Sequence, residues 1–328
     1  MMSFPQTRMR RLRQNKKLRE LLQETKLSVN DLIQPLFLHH QKEWYQEIPS
    51  MPGQYQMGLV ALEKELLILQ EKGIKGVILF GIPGTKDLQG SESYSDQGII
   101  AQGIALAKRV APELLIIADV CLCEYTSHGH CGIVHQQDVD NDQTLPLLQK
   151  QAICFAKAGV DMLAPSGMMD GKVQAIRQAL DANNFSHLPI MSYSVKYASA
   201  LYGPFRAAAD FSLEFGSRET YQINPGQVSE ALREVELDID EGADILMVKP
   251  AGFYLDIIQR LHQEYPQLPM AAYQVSGEYS MIKAAVEKGW LTEKAIVLES
   301  LLAIKRAGAK LIISYFSKQV ATWLAEEG

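Results

Sequence analysis

A single (β/α)8 barrel is the fold this sequence predicts, on three observations: eight short apolar runs along 328 residues, helical patterns between them, and no linker or composition break. The runs are Leu32–Leu38, Gly76–Ile82, Leu114–Val120, Asp161–Ser166, Pro189–Lys196, Ile245–Pro250, Met270–Val275 and Leu311–Phe316. Most are continuous rather than alternating, as strands buried on both faces of a parallel sheet are. The helical stretches carry their own punctuation. Leu59–Glu71 precedes a stop at Gly73, Gln227–Glu241 precedes Gly242, and Glu293–Arg306 precedes Gly308. Asp96–Arg109 is expected to start on an acidic cap. A doubly wound sheet is the rival, but it wants a GxGxxG turn after its first strand, and this chain has none there. Gly81-Ile-Pro-Gly-Thr-Lys86 has the wrong spacing for a phosphate loop and reads as the loop after strand two.

Two regions depart from the repeating unit. The interval from Tyr197 to Ile245 is much longer than the others and contains Gly203-Pro204, Gly216 and Pro225-Gly226. Only its last third looks like a barrel helix, so residues 197–225 are expected to form a lid over the C-terminal mouth of the barrel. The other region is the beginning of the chain. Through Leu22, Arg8, Arg10, Arg11, Arg13, Lys16, Lys17 and Arg19 face Glu20 as the only acid, a net +6 in a chain of net −6, which leaves −12 for the rest. Residues 1–30 therefore read as a basic arm lying on an acidic neighbouring subunit, and 31–328 as one catalytic barrel.

Composition excludes other classes. An acidic body without aromatic interleaving argues against nucleic-acid binding, and few serines argue against a mitochondrial presequence. No run approaches the roughly 18 apolar residues of a membrane span. A cytoplasmic location is expected. Four cysteines are too few to staple a chain this long, and Cys121, Cys123 and Cys131 fall close together, so a metal site is favoured over disulfides.

In a barrel of this kind, catalytic groups sit at the C-terminal ends of strands. Those ends carry Asp119 and Cys121 on strand three, Ser166 on four, Lys196 on five and Lys249 on six; Ser276 follows strand seven and Tyr315 lies near the end of eight. One such lysine alone would read as snorkelling to solvent or ion-paired. Two on adjacent strands lower each other's pKa by repulsion, and poor solvation adds to it. A neutral lysine is what Schiff-base chemistry on a ketone requires. In Asp119-Val-Cys-Leu-Cys-Glu-Tyr-Thr-Ser-His-Gly-His-Cys131, continued extended backbone would put Asp119, Cys121 and Cys123 on one face. Three thiolates suit zinc with an open position; a fourth ligand from His128, His130 or His135 would make the site closed and structural. Cys154 sits in an apolar helical pattern and reads as core. Arg206 and Arg218, with Gln222, suggest a fork of donors for a substrate carboxylate, although either arginine alone would read as a surface ion pair.

These residues resemble the porphobilinogen synthase (5-aminolevulinate dehydratase) family over nearly the whole chain, from Arg-Arg-Leu-Arg13 to Ser-Tyr-Phe316. The cysteine segment carries the resemblance most specifically. Ser192-Tyr-Ser-Val-Lys-Tyr-Ala-Ser199, Gly203-Pro-Phe-Arg206, Met247-Val-Lys-Pro250 and Tyr273-Gln-Val-Ser-Gly-Glu-Tyr279 support it. The resemblance implies a hydro-lyase that condenses two 5-aminolevulinate molecules to porphobilinogen and two waters in tetrapyrrole (heme) synthesis. It further implies that Lys249 forms the Schiff base with the first substrate and that Lys196 holds or binds the second. Asp119 and Ser166 would surround the reacting centre. Arg206, Arg218 and Gln222 would grip one carboxylate; Ser276 and Tyr315, with Tyr273 of the last motif, would bind the other substrate. Zinc would sit on Cys121, Cys123 and Cys131. Glu234 would bind an activating, allosteric magnesium, and Arg13 would communicate with that region across a subunit interface in a homo-octamer. A Schiff-base class I aldolase-like lyase, which needs one lysine and no thiolate metal, and a non-catalytic zinc-dependent ligand-binding protein are the alternatives.

Overall fold

The computed structural model describes residues 3–210 and 212–327. All eight expected strands form: β1 (Leu32–His39), β2 (Gly76–Ile82), β3 (Leu115–Val120), β4 (Met162–Pro165), β5 (Met191–Lys196), β6 (Ile245–Lys249), β7 (Met270–Gln274) and β8 (Leu311–Ser314). They pair in parallel in the order β4-β3-β2-β1-β8-β7-β6-β5. A bridge between Leu163 and Ile190 brings the two ends of that path together, so the sheet curls into a nearly closed barrel. The strands are buried along almost their whole length, which is why their sequences lack the alternation of a half-exposed strand.

Nine helices follow the strands among the described residues: α1 (Leu59–Glu71), α2 (Ile99–Val110), α3 (Asn141–Ala158), α4 (Lys172–Ala182), α5 (Ser229–Asp240), α6 (Leu255–Glu264), α7 (Ser276–Glu287), α8 (Glu293–Ala307) and α9 (Ser317–Glu327); two shorter ones, Lys16–Leu21 and Gly203–Ala208, lie outside this set. In α1, Leu62, Leu66 and Leu69 recur on one face and are fully buried, each stabilising the packing by about 2 kcal/mol. Gly73, Gly242 and Gly308 all adopt positive φ, the left-handed conformation that ends a helix with little strain only at glycine.

The expected acidic cap of α2 is not there. The helix begins at Ile99 with Gly98 at its cap, and Asp96 lies outside it. The reason is steric: a Cβ on Gly98 would stand 2.6 Å from the Glu92 carbonyl oxygen, because the preceding turn at Ser91–Tyr94 folds back against this position. A hairpin of Tyr45–Glu47 with Tyr55–Met57, not anticipated, adds to the C-terminal end of β1 at Phe37 and Leu38. No helix among the described residues is long and apolar enough to cross a membrane.

Candidate active site

Lys196 and Lys249 end two paired strands, and they are register partners. A bulge in β5 prepares this arrangement. Leu246 pairs with Ser192 and Val248 with Val195, so β5 spends one extra residue between them. Strict two-residue alternation would put Tyr193 and Lys196 on opposite faces. With the extra residue, the Tyr193 ring lies 5.0 Å from Lys249 Nζ and 5.7 Å from Lys196 Nζ.

The two ammonium groups meet unlike surroundings. Lys249 Nζ is ringed by Tyr273 at 4.3 Å, Phe205 at 5.2 Å and Tyr202 at 5.5 Å, in addition to Tyr193. Burial, followed by repulsion from Lys196, pulls its pKa down to about 7. Lys196 instead donates to the Ser166 carbonyl at 2.6 Å. The Ser166 hydroxyl donates to Asp119 at 2.9 Å, so one serine at the end of β4 orients both a lysine and a carboxylate. Burial pushes the Asp119 carboxyl up to about 6, against the pull of Lys249 and Lys196 in the other direction.

Beside the lysines, Cys121, Cys123 and Cys131 bring their sulfurs within 4.8 Å of one another, all buried. The extended path expected through this segment ends at Val120. A turn aligns the cysteines, with the Tyr125 and Thr126 amides donating to the Leu122 carbonyl at 2.9 Å. Gln151 of α3 donates to the Cys121 carbonyl at 3.0 Å and holds that turn from beneath. Hydrogen bonds from Cys121 and Cys123, ahead of the positive charges of Arg218 and Lys196, hold the Cys131 thiol well below its usual range. Three close sulfurs, one already favoured as a thiolate, fit a soft divalent metal.

None of the three candidate histidines joins this cluster among the described residues. His130 engages both ring nitrogens elsewhere, with the Tyr221 hydroxyl and the Phe215 carbonyl, each at 3.0 Å. The His128 Nδ1 accepts from the His130 amide, and His135 is exposed on a small hairpin. Glu124 was not foreseen: it is buried with an oxygen 3.3 Å from the Cys123 sulfur, and burial plus Asp119 push its pKa up to about 7. Only its position next to Cys123 could have signalled it. Cys154 is buried in α3 as core, and burial raises its thiol to about 11.

Ser166, Lys196, Lys249, Cys123 and Glu124 open onto one cavity of about 400 Å³. Its outer wall is the 197–225 segment, which contributes Arg206, Arg218 and Gln222. The Gln222 side-chain nitrogen is buried there with no acceptor among the described residues. Arg218 donates to the Gly129 carbonyl at 2.8 Å and the Glu214 amide to the His128 carbonyl at 3.3 Å, so this wall is stitched to the cysteine loop.

The remaining candidates lie off the wall. Tyr273 touches Lys249 through its ring and shares a 3.0 Å hydrogen bond with the Tyr315 hydroxyl. Ser276, at the start of α7, donates to the Leu201 carbonyl at 3.3 Å. Glu234 on α5 lines a separate cavity of about 470 Å³ with Glu230 and Asp170; Glu219 and Gln222 border both cavities. Burial raises the Glu234 carboxyl, while Lys172 pulls it back. Arg13 is exposed, and its carbonyl accepts from Arg19.

Comparison with known proteins shows the family. The family model for delta-aminolevulinic acid dehydratase covers residues 6–323. The delta-aminolevulinic acid dehydratases of Halalkalibacterium halodurans and Bacillus subtilis are 52% and 50% identical to the chain, covering 98% and 99% of it and 97% and 100% of their own lengths. The crystal structure of the Toxoplasma gondii enzyme, in complex with its reaction product porphobilinogen, superposes with a TM-score of 0.95 at 44% identity, over 98% of this chain and 92% of that one. The chain belongs to the delta-aminolevulinic acid dehydratase, or porphobilinogen synthase, family of hydro-lyases, which make porphobilinogen from 5-aminolevulinate.

Proposed function

We propose that this chain condenses two 5-aminolevulinate molecules to porphobilinogen and two waters through a Schiff base on Lys249, as a step of tetrapyrrole and heme synthesis. The observation that carries this reading is Lys249 itself, with its pKa near 7, caged by aromatic rings beside a second lysine and a thiol triad. The neutral Nζ attacks the ketone of the first substrate, a C=N bond forms, and the oxygen leaves as water. The resulting iminium acidifies the neighbouring carbon. Lys196 holds the second substrate, with Asp119 and Ser166 placed to hold or move a proton at the reacting centre. Bringing both ketones into one cavity makes the bond-forming step effectively intramolecular.

Two identical substrates must be told apart, so the site needs two unlike carboxylate pockets. Arg206, Arg218 and Gln222 make a charged one. The neutral one is assigned to the hydroxyls of Ser276 and Tyr315, with Tyr273, whose ring packs on Lys249. Residues 197–225 act as the lid that carries the charged pocket. Cys121, Cys123 and Cys131 would hold zinc with a position left open, and zinc there supplies Lewis acidity toward the second substrate. Glu234 is proposed to ligate an activating magnesium away from the active site. The basic arm packs on an acidic neighbour within a homo-octamer, and Arg13 reaches the Glu234 region from the adjoining subunit. Sedimentation of the chain with and without residues 1–22 tests the arm, which fails if assembly is unchanged.

Borohydride reduction in the presence of 5-aminolevulinate, with mass mapping and a porphobilinogen assay, tests the whole reading. An adduct on Lys249 with product formation is expected. An adduct without porphobilinogen would favour an aldolase-like lyase, and no adduct at all would favour a zinc-dependent binding protein.

A further inference from the structure

Glu278 is a carboxylate buried behind the active site, with one oxygen for each of two loops. Its Oε2 accepts the Val275 amide at 2.7 Å, and its Oε1 accepts the Gly252 amide at 2.6 Å. Val275 lies between Tyr273 and Ser276 on the exit of β7. Gly252 lies three residues beyond Lys249 on the exit of β6. The contact is close: a Cβ on Gly252 would stand 2.5 Å from Glu278 Oε1. The next loop is drawn in as well. A Cβ on Gly277 would stand 2.5 Å from the Leu201 carbonyl oxygen, the same oxygen that accepts the Ser276 hydroxyl.

Capping α7 does not require this arrangement. A capping box needs a single acceptor at its third residue, reaching back to the cap amide, and glutamine serves as well as glutamate. The second oxygen, aimed across to a different strand's loop, is surplus to the cap. A buried carboxyl group is expensive to keep away from water, and the bond its second oxygen accepts from Gly252 is the interaction beyond the cap that offsets this cost. The task visible here is to fix the spacing between the loop that leaves β6 after Lys249 and the β7 exit that joins Tyr273 to Ser276.

We propose that Glu278 is a positioning residue: its carboxylate clamps the exits of β6 and β7 and so sets Lys249 against Tyr273 for attack on the substrate ketone. The proposal rests on Lys249 as the Schiff-base lysine. Glu278→Gln is the discriminating variant, because the amide oxygen keeps the α7 cap while the amide NH2 faces the Gly252 N–H, donor against donor. The rate of borohydride-trapped 5-aminolevulinate adduct at Lys249 is expected to fall about 10- to 100-fold, the usual cost of a small misplacement of a reacting group. Metal content should stay at wild type, the melting temperature should fall by only the few degrees that one unpaired buried amide costs, and KM should change less than kcat. Glu278→Asp, one methylene shorter, spans only one loop and should not rescue the rate. Wild-type trapping at Lys249 in the Gln variant would overturn the clamp. So would a rate loss matched by equal losses of melting temperature and metal, which would reduce Glu278 to a helix cap. A wild-type adduct on some other lysine would fail the Lys249 assignment itself and the clamp with it.

Discussion

Lys249 and Lys196 are the same residue type at the ends of paired strands, yet they stand in different surroundings. Lys249 stands among four aromatic rings, which solvate a cation poorly compared with water, and the positive charge of Lys196 adds to the cost. Lys196 lines the same cavity but has one ring near it, that of Tyr193, and its Nζ is bonded to the Ser166 carbonyl. In the proposed reaction these neighbours divide the roles: a desolvated cage favours a neutral nucleophile at Lys249, while a fixed carbonyl contact orients Lys196 toward the second substrate.

The comparison can be broken in several places. Lys249→Met should show the largest effect, a loss of turnover on the order of 10⁴-fold or more with the fold intact by circular dichroism. Near-normal activity would remove Lys249 from the chemistry. Lys196→Met should cost about 10²- to 10³-fold in turnover, in the range of losing one electrostatic partner, while an adduct on Lys249 still forms. The same variant sharpens the electrostatic half of the comparison. In the wild type the neutral, reactive fraction of Lys249 grows as pH rises through about 7, so trapping should accelerate across that value. Removing the Lys196 charge relieves repulsion, raises the Lys249 pKa, and should move that midpoint to higher pH. An unmoved midpoint would mean that burial alone sets it.

Cys131→Ser should weaken zinc binding by at least about 100-fold, since even changes behind metal ligands cost 10–100-fold. Isothermal titration with zinc checks this, and unchanged affinity would displace the metal from the thiol triad. The smallest effect is expected from Cys154→Ala: about 1 kcal/mol of stability for a small deleted buried group, with zinc stoichiometry and turnover unchanged. A loss of zinc in that variant would make the fourth cysteine part of the site after all.

The same contrast explains what was legible before the structure. The eight strands announce themselves because burial on both faces leaves only apolar residues to choose from, and glycine stops are visible because few other residues tolerate positive φ. Lys196, Lys249 and the cysteines stood out by type and place. The cage around Lys249 did not. Tyr193 reaches the same face as Lys196 only through a bulge that breaks the two-residue period, and Phe205 arrives from a short helix in the long insertion. The α2 start is hidden in the sequence because a backbone close approach, invisible in composition, puts Gly98 and not an acid at the cap. Glu278 looks from its sequence like an ordinary acid in the first turn of a helix, and its second bond crosses 26 residues to Gly252.

The most direct measurement is a borohydride quench with 5-aminolevulinate supplied below one equivalent per site, followed by mass mapping of both lysines. The unlike surroundings predict label on Lys249 with Lys196 unmodified. Equal labelling of the two lysines, or label on Lys196 first, would contradict the division of roles.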